Sequence, residues 1–168
     1  MRQTLARYRV PLGFVSALAA YWWAHPTVPS WLAGGAIALV GEGIRVWASG
    51  HLEKGREITT SGPYRFVRHP LYLGSAIMGA GFAVAAATLA TAIVVVLYLS
   101  LTLVAAIRTE EAVLDARFDG AYSAYRQGLA APLARTFSFE RAFVTNKESR
   151  ALLGCAVGLG LLWLRMRL

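Results

Sequence analysis

One cysteine, Cys155, stands in 168 residues. That excludes an internal disulfide and any cysteine-built metal site, so neither a secreted cystine scaffold nor a zinc ribbon is open, and no resident metal is expected. Charge is scarce too. Asp, Glu, Lys and Arg make up 15% of the chain, whereas a water-exposed surface needs about 25–35%. A soluble globule of this size is therefore excluded. Acidic residues number 9 against 17 basic ones, a formal net charge of +8. The basic residues lie between apolar runs rather than on a face interleaved with aromatics, so no nucleic-acid partner is expected. No Gly/Ser linker and no internal repeat interrupts the chain, which at this length reads as a single domain over residues 1–168.

What the chain has in abundance is apolar sequence: 57% hydrophobic residues and a mean hydropathy of +0.49. The stretch Leu71 to Ile107 carries no formal charge. As one helix it would run about 55 Å, against a hydrocarbon core of about 30 Å, so it must fold back on itself near Thr88 to Thr91. The pattern predicts spans at about 10–25, 31–49, 71–87, 90–107 and 151–164. Trp22 and Trp23 suit an interfacial anchor at the end of the first. Arg2, Arg7 and Arg9 ahead of an apolar run resemble the start of a signal peptide, but the next apolar segment follows within a turn bounded by Pro26 and Pro29, which favours a span. Five spans leave all Lys and Arg except Arg165 and Arg167 on one side, with all the acidic residues. The positive-inside rule makes that side cytoplasmic: N-terminus inside, C-terminus outside. The expected location is a bacterial inner membrane, with the polar chemistry facing the cytosol.

Charges within a span are costly. Glu42 and Arg45, three residues apart on one helical face, are expected to pair, either as a structural ion pair or as the floor of a polar pocket. The glycines Gly34, Gly35, Gly41, Gly43, Gly74, Gly79 and Gly81 suit close helix approach, and Gly154 and Gly158 form a GxxxG of the kind found on dimer faces. Oligomeric state stays open. Cys155 reads as an inert small apolar residue. The stretch Ala131 to Arg150, with scattered Arg, Phe137, Phe139 and Phe143, reads as an amphipathic segment on the inner leaflet.

The loop between the second and third spans is richer than a connector requires. Pro70 suits the first turn of the third helix and keeps His69 out of helical geometry, so the imidazole sits at a helix N-terminus, where anionic groups are attracted. Tyr64, Phe66 and Tyr72 offer flat faces for a purine or a sulfonium. Ser61-Gly62-Pro63-Tyr64 followed by Arg68-His69-Pro70-Leu71-Tyr72-Leu73-Gly74 resembles the isoprenylcysteine carboxyl methyltransferases and the related phospholipid methyltransferases. Glu110-Glu111, then Leu114, Phe118, Tyr122 and Tyr125, resemble that family's paired-glutamate segment with its Tyr-x-x-Tyr; the two tyrosines also suit interfacial anchoring. The resemblance runs over residues 41 to 132.

It implies an all-α integral membrane bundle of about five transmembrane helices with a cytoplasmic cofactor pocket formed by residues 50–70 and 108–132. It implies, too, methyl transfer from S-adenosylmethionine, releasing S-adenosylhomocysteine, to a lipophilic or small membrane-partitioning acceptor drawn from the bilayer. Carried over by position, the cofactor contacts are Arg56, Glu57, Ile58, Thr59, Tyr64, His69, Pro70, Leu71, Tyr72 and Glu110, with Arg108 and Glu111 as catalytic candidates. Three positions depart from the family: Ala106 stands where an acceptor-holding arginine is usual, Asp119 replaces a glycine, and Ser49 replaces the glutamine of the protein-methylating members. A carboxylate acceptor is already ionised and needs a cation such as Arg108 to place it. An amine or thiol must lose a proton, for which Glu111 or His69 is available. A nicotinamide-dependent membrane reductase and a non-catalytic membrane scaffold are the competing readings.

Overall fold

The computed structural model describes residues 2–118 and 120–168, the side chains of residues 2–10 excepted. Asp119 lies outside the described residues. All regular elements among those described are helical: α1 (Arg2–Trp22), α2 (Val28–His51), α3 (Pro70–Ala86), α4 (Leu89–Arg117), the short α5 (Ala121–Arg126) and α6 (Ser149–Arg165). A 3-10 turn covers Gly62–Arg65 and a π-helical turn Arg141–Thr145. Each of the five predicted apolar segments centres on one of the long helices.

Local sequence explains the boundaries. Thr27 caps α2 with Ser30 in a reciprocal pair, and Pro29 sits in the first turn, where its missing N–H is no loss. Pro70 opens α3 in the same way. The turn expected near Thr88 is a tight one: Ala87 takes the left-handed conformation at φ 56° and the Thr88 hydroxyl accepts from the Thr91 N–H. No glycine or proline lies between Leu89 and Arg117, so α4 runs unbroken for 29 residues. That is about 43 Å, well past the thickness of a hydrocarbon core. Arg108, Glu110 and Glu111 therefore ride on a stiff extension of an apolar helix, where the sequence suggested a separate segment.

α4 is the one helix among the described residues long and apolar enough, by length and composition, to cross a membrane; Pro11–Trp22 and Pro70–Ala86 are shorter apolar helices. Large apolar side chains such as Phe14, Leu18, Leu97, Leu101 and Leu153 are exposed around the outside of the bundle.

The elements have two distinct ends. At one, the His25 N–H donates to the Ala86 carbonyl at 2.9 Å, the Thr88 hydroxyl to the Trp23 carbonyl at 3.0 Å, and Arg165 Nε to the Ala24 carbonyl at 3.4 Å. Both short turns and the end of α6 meet there. The polar segments 50–70 and 108–148 meet at the other end. Between them α2 and α3 pack backbone to backbone: Gly41 faces Met78 and Gly74, and Gly34 faces Gly81 and Ala85. The predicted close approach is thus made by Gly34, Gly41, Gly74 and Gly81. Gly43 and Gly154 face open space, and Gly158 lies against Phe82 of the same chain, so the GxxxG pair is not free as a unit.

In the stretch Ala131 to Arg150, read above as an amphipathic segment, no helical residue occurs before Phe139. Residues 130–148 form a strap, without regular secondary structure as far as Ser138, that is bonded along the polar end. The Thr60 hydroxyl accepts from the Leu133 N–H at 2.9 Å and donates to the Ala131 carbonyl at 3.0 Å, while the Ser138 N–H donates to the Gly50 carbonyl at 3.1 Å. Arg135 pairs with Glu57 at 2.7 Å and Arg141 with Glu53 at 2.8 Å. The phenylalanines cluster with one another, Phe137 against Phe139 at 4.9 Å and against Gly50.

Candidate active site

At the polar end three elements converge on one carboxylate. His69, placed by Pro70 just ahead of α3, brings Nε2 to 3.1 Å from Glu111 Oε1 on the extension of α4. Tyr122 of α5 donates its hydroxyl to the same oxygen at 3.0 Å, and Arg68 stands 4.0 Å from it. An ionised carboxylate only accepts, so Nε2 carries the proton in that contact. His69 Nδ1 makes no hydrogen bond among the described residues. The bond from His69 holds the Glu111 carboxyl below the usual range, and Tyr122 and Arg126 act in the same direction. Tyr122 is buried rather than interfacial, and burial together with the Glu111 bond pushes its phenol well up.

Tyr64 forms the second wall. It is buried in the 3-10 turn, its carbonyl accepts from the Tyr125 hydroxyl at 2.7 Å, and burial followed by the Glu110 charge pushes its phenol well above the ordinary value. Glu110 is half-buried and makes no hydrogen bond or ion pair among the described residues. Tyr72 lies with its ring 5.8 Å from that of His69, and Pro70 is fully buried.

The other predicted residues divide. Ile58 lines a cavity of about 340 Å³ with Arg56, Glu57, Thr60, Phe118, Ala121 and the strap residues Ala130, Ala131 and Leu133. Thr59 is buried and accepts from the Glu53 N–H at 3.3 Å. The Arg56 guanidinium is 84% exposed and pairs loosely with Glu53 at 3.7 Å. Arg108 is exposed on α4 and unpartnered among the described residues. It stands three residues before Glu111 on the same helix, a spacing that makes the two neighbours on its surface.

Sequence reasoning missed Arg126 and the strap. Arg126 follows Tyr122 by one helical turn, a spacing that could have exposed it; the strap has no local signal, since its contacts are made to residues about seventy to a hundred positions away.

Glu42 and Arg45 do pair, at 3.6 Å, but the stronger partner of Arg45 is Glu148, at 2.7 Å, just ahead of α6. Ser49 is buried and donates to Glu148 Oε2 at 2.8 Å. It therefore braces α2 against the last segment of the chain.

Comparison with known families gives one match. The phospholipid methyltransferase family model covers residues 32–121, more than half of the chain, and takes in most of α2, the loop carrying His69, α3, and α4 with Glu111. No curated protein and no solved structure matches.

Proposed function

Because this chain belongs to the phospholipid methyltransferase family, we propose that it is an integral membrane methyltransferase that uses S-adenosylmethionine, and that its acceptor gives up a proton as it is methylated. The observation that carries the reading is the His69–Glu111–Tyr122 centre, assembled from the two motifs that define the resemblance.

The residues present fit the cofactor. Glu110 offers a half-buried carboxylate suited to an ammonium, Tyr72 an aromatic ring beside His69, and Arg56 to Ile58 border a separate cavity within the usual size of small-molecule sites, about 300–1,000 Å³. When bound, the cofactor supplies an electrophilic methyl group on a sulfonium. The chain's own part is to hold and to deprotonate. Glu111 fixes the His69 tautomer, leaving Nδ1 to receive a proton from an amine or thiol, and the negative carboxylate favours the imidazolium that results. Arg108 is assigned the task of orienting an anionic part of the acceptor at the membrane surface.

For membrane placement we read the five long helices as five spans, the shorter ones in locally thinned bilayer. The exposed apolar faces support this, as does the segregation of the polar segments to one end. The polar end then faces the cytoplasm of a bacterial inner membrane, and acceptor arrives from the lipid. A reporter fused after Leu168 should signal the outer face. Cytoplasmic signal there would refute the five-span count.

The test of the cofactor is direct binding of radiolabelled S-adenosylmethionine, with NADPH as the competitor reading, to protein purified in detergent. S-adenosylmethionine should bind and NADPH should not. Glu110→Gln should weaken binding about ten- to a hundredfold, the range expected when a charged hydrogen bond is lost. Unchanged affinity in a folded Glu110→Gln protein would remove Glu110 from the site.

A further inference from the structure

The buried charge network next to the site is larger than the Glu42–Arg45 pair. Arg45 leaves α2 over Gly74, where a Cβ would lie 2.6 Å from its Cγ. Having crossed α3 there, it donates from Nη1 to the Ser75 hydroxyl and to the Leu71 carbonyl at 3.5 Å. Its Nη2 meets Glu148 at 2.7 Å. Glu148 is 5% exposed and is held in turn by the Ser49 hydroxyl at 2.8 Å. Asn146, two residues earlier, donates to the carbonyls of Ser49 and Leu52 at 2.9 and 3.0 Å. The chain beyond the family match thus reaches back, through one guanidinium, to the first turn of α3.

That turn is the one His69 precedes. The α2–α3 contact is made largely of glycine and alanine backbone, which brings the helices close but offers few ridges to oppose a slide or a rotation. The directional polar contacts of Arg45 lie at its cytoplasmic end. From this we infer that Glu148 and Arg45 are positioning residues for the site: Glu148 holds Arg45, Arg45 holds Leu71 and Ser75, and the His69 imidazole is thereby kept within reach of Glu111. The inference rests on the site reading above for its effect on turnover, not for its geometry.

The mildest cut is Ser75→Ala, which removes one Arg45 contact together with the hydroxyl's own bond to the Leu71 carbonyl at 2.9 Å and leaves every charge in place. Ser49→Ala loosens Glu148 without removing it, and Glu148→Gln removes its charge. The readout is the titration of the Glu111 carboxylate by carbon-13 NMR in detergent, assigned by its loss in Glu111→Gln. The groups that face Glu111 are His69, Arg68, Tyr122 and Arg126, with Glu110 beside it on the same helix. In the wild type the His69 bond holds the midpoint low. Each variant should raise it toward the ordinary glutamate value, Glu148→Gln most. Turnover in Ser75→Ala should fall about three- to tenfold, the span of one hydrogen bond, with the KM for S-adenosylmethionine within about twofold.

If Glu148→Gln does not fold, the two serine variants decide. An unchanged Glu111 midpoint in folded Ser75→Ala and Ser49→Ala protein overturns the inference, even if the wild type methylates. A raised midpoint supports it even if the wild type binds no S-adenosylmethionine, because the titration is read without cofactor or acceptor; that second result would count against the proposed function alone.

Discussion

Gly41→Val is expected to prevent the chain from assembling this bundle, whereas Gly43→Val, two residues away on the same helix, is expected to be silent. A Cβ at Gly41 would lie 2.5 Å from the Met78 nitrogen and 2.6 Å from the Gly74 carbonyl oxygen. Both obstacles are backbone, so no rotamer change relieves them and α3 must move away as a body. Overpacking that side chains can absorb costs about 1–3 kcal/mol. Here the close contact is also lost at Gly34, Gly74 and Gly81, which places the cost at or above the top of that range, against a total stability of about 5–15 kcal/mol. Gly43 has nothing within 4 Å of a built Cβ. Membrane-fraction yield and thermal unfolding in detergent, followed by circular dichroism, read the difference. Equal behaviour of the two variants would show that the α2–α3 contact does not depend on bare backbone.

The second large effect belongs to the Glu111 centre. Glu111→Gln keeps an acceptor for Tyr122 but removes the negative charge that holds and stabilises the His69 imidazolium. Positioned proton transfer contributes about 10²–10⁴ in rate, and the variant should lose a large part of it at saturating cofactor. His69→Ala should lose at least as much. Stability supplies an independent check with a definite sign. The folded Glu111 carboxyl is held below its ordinary value, chiefly by the His69 bond. Its contribution is therefore fully present above the unfolded value of about 4.3, and is lost as pH falls through the lower folded value. Wild type and Glu111→Gln should differ in unfolding temperature at neutral pH and converge in acid. Wild-type turnover in Glu111→Gln, or a stability gap that persists in acid, would exclude the arrangement described.

Much of this architecture was legible before any coordinates. The charge-free run from Leu71 to Ile107 is too long for one helix and has one place to turn, and Ala87 and Thr88 turn there. Pro70 announces the start of α3 and the peculiar backbone of His69, because its ring constrains the residue before it. The sequence offers His69 and Glu111 only as alternative proton acceptors; their bond is a finding of the structure, possible because the hairpin returns its ends to one place.

Composition and periodicity determine the apolar character, the helical class and the segregation of charge, because these depend on transfer free energy and on short-range backbone geometry, both local to the sequence. The partner of Arg45 was decided by tertiary structure. Glu42 is three residues away and pairs only at 3.6 Å, while Glu148, more than a hundred residues later, pairs at 2.7 Å. The same holds for the strap over residues 50–65 and for the burial of Tyr122. Each depends on which surfaces remain open once α2 and α3 have closed on their glycines. A chain carries no local record of that, because the competition among partners is settled only when helices distant in sequence are brought to contact.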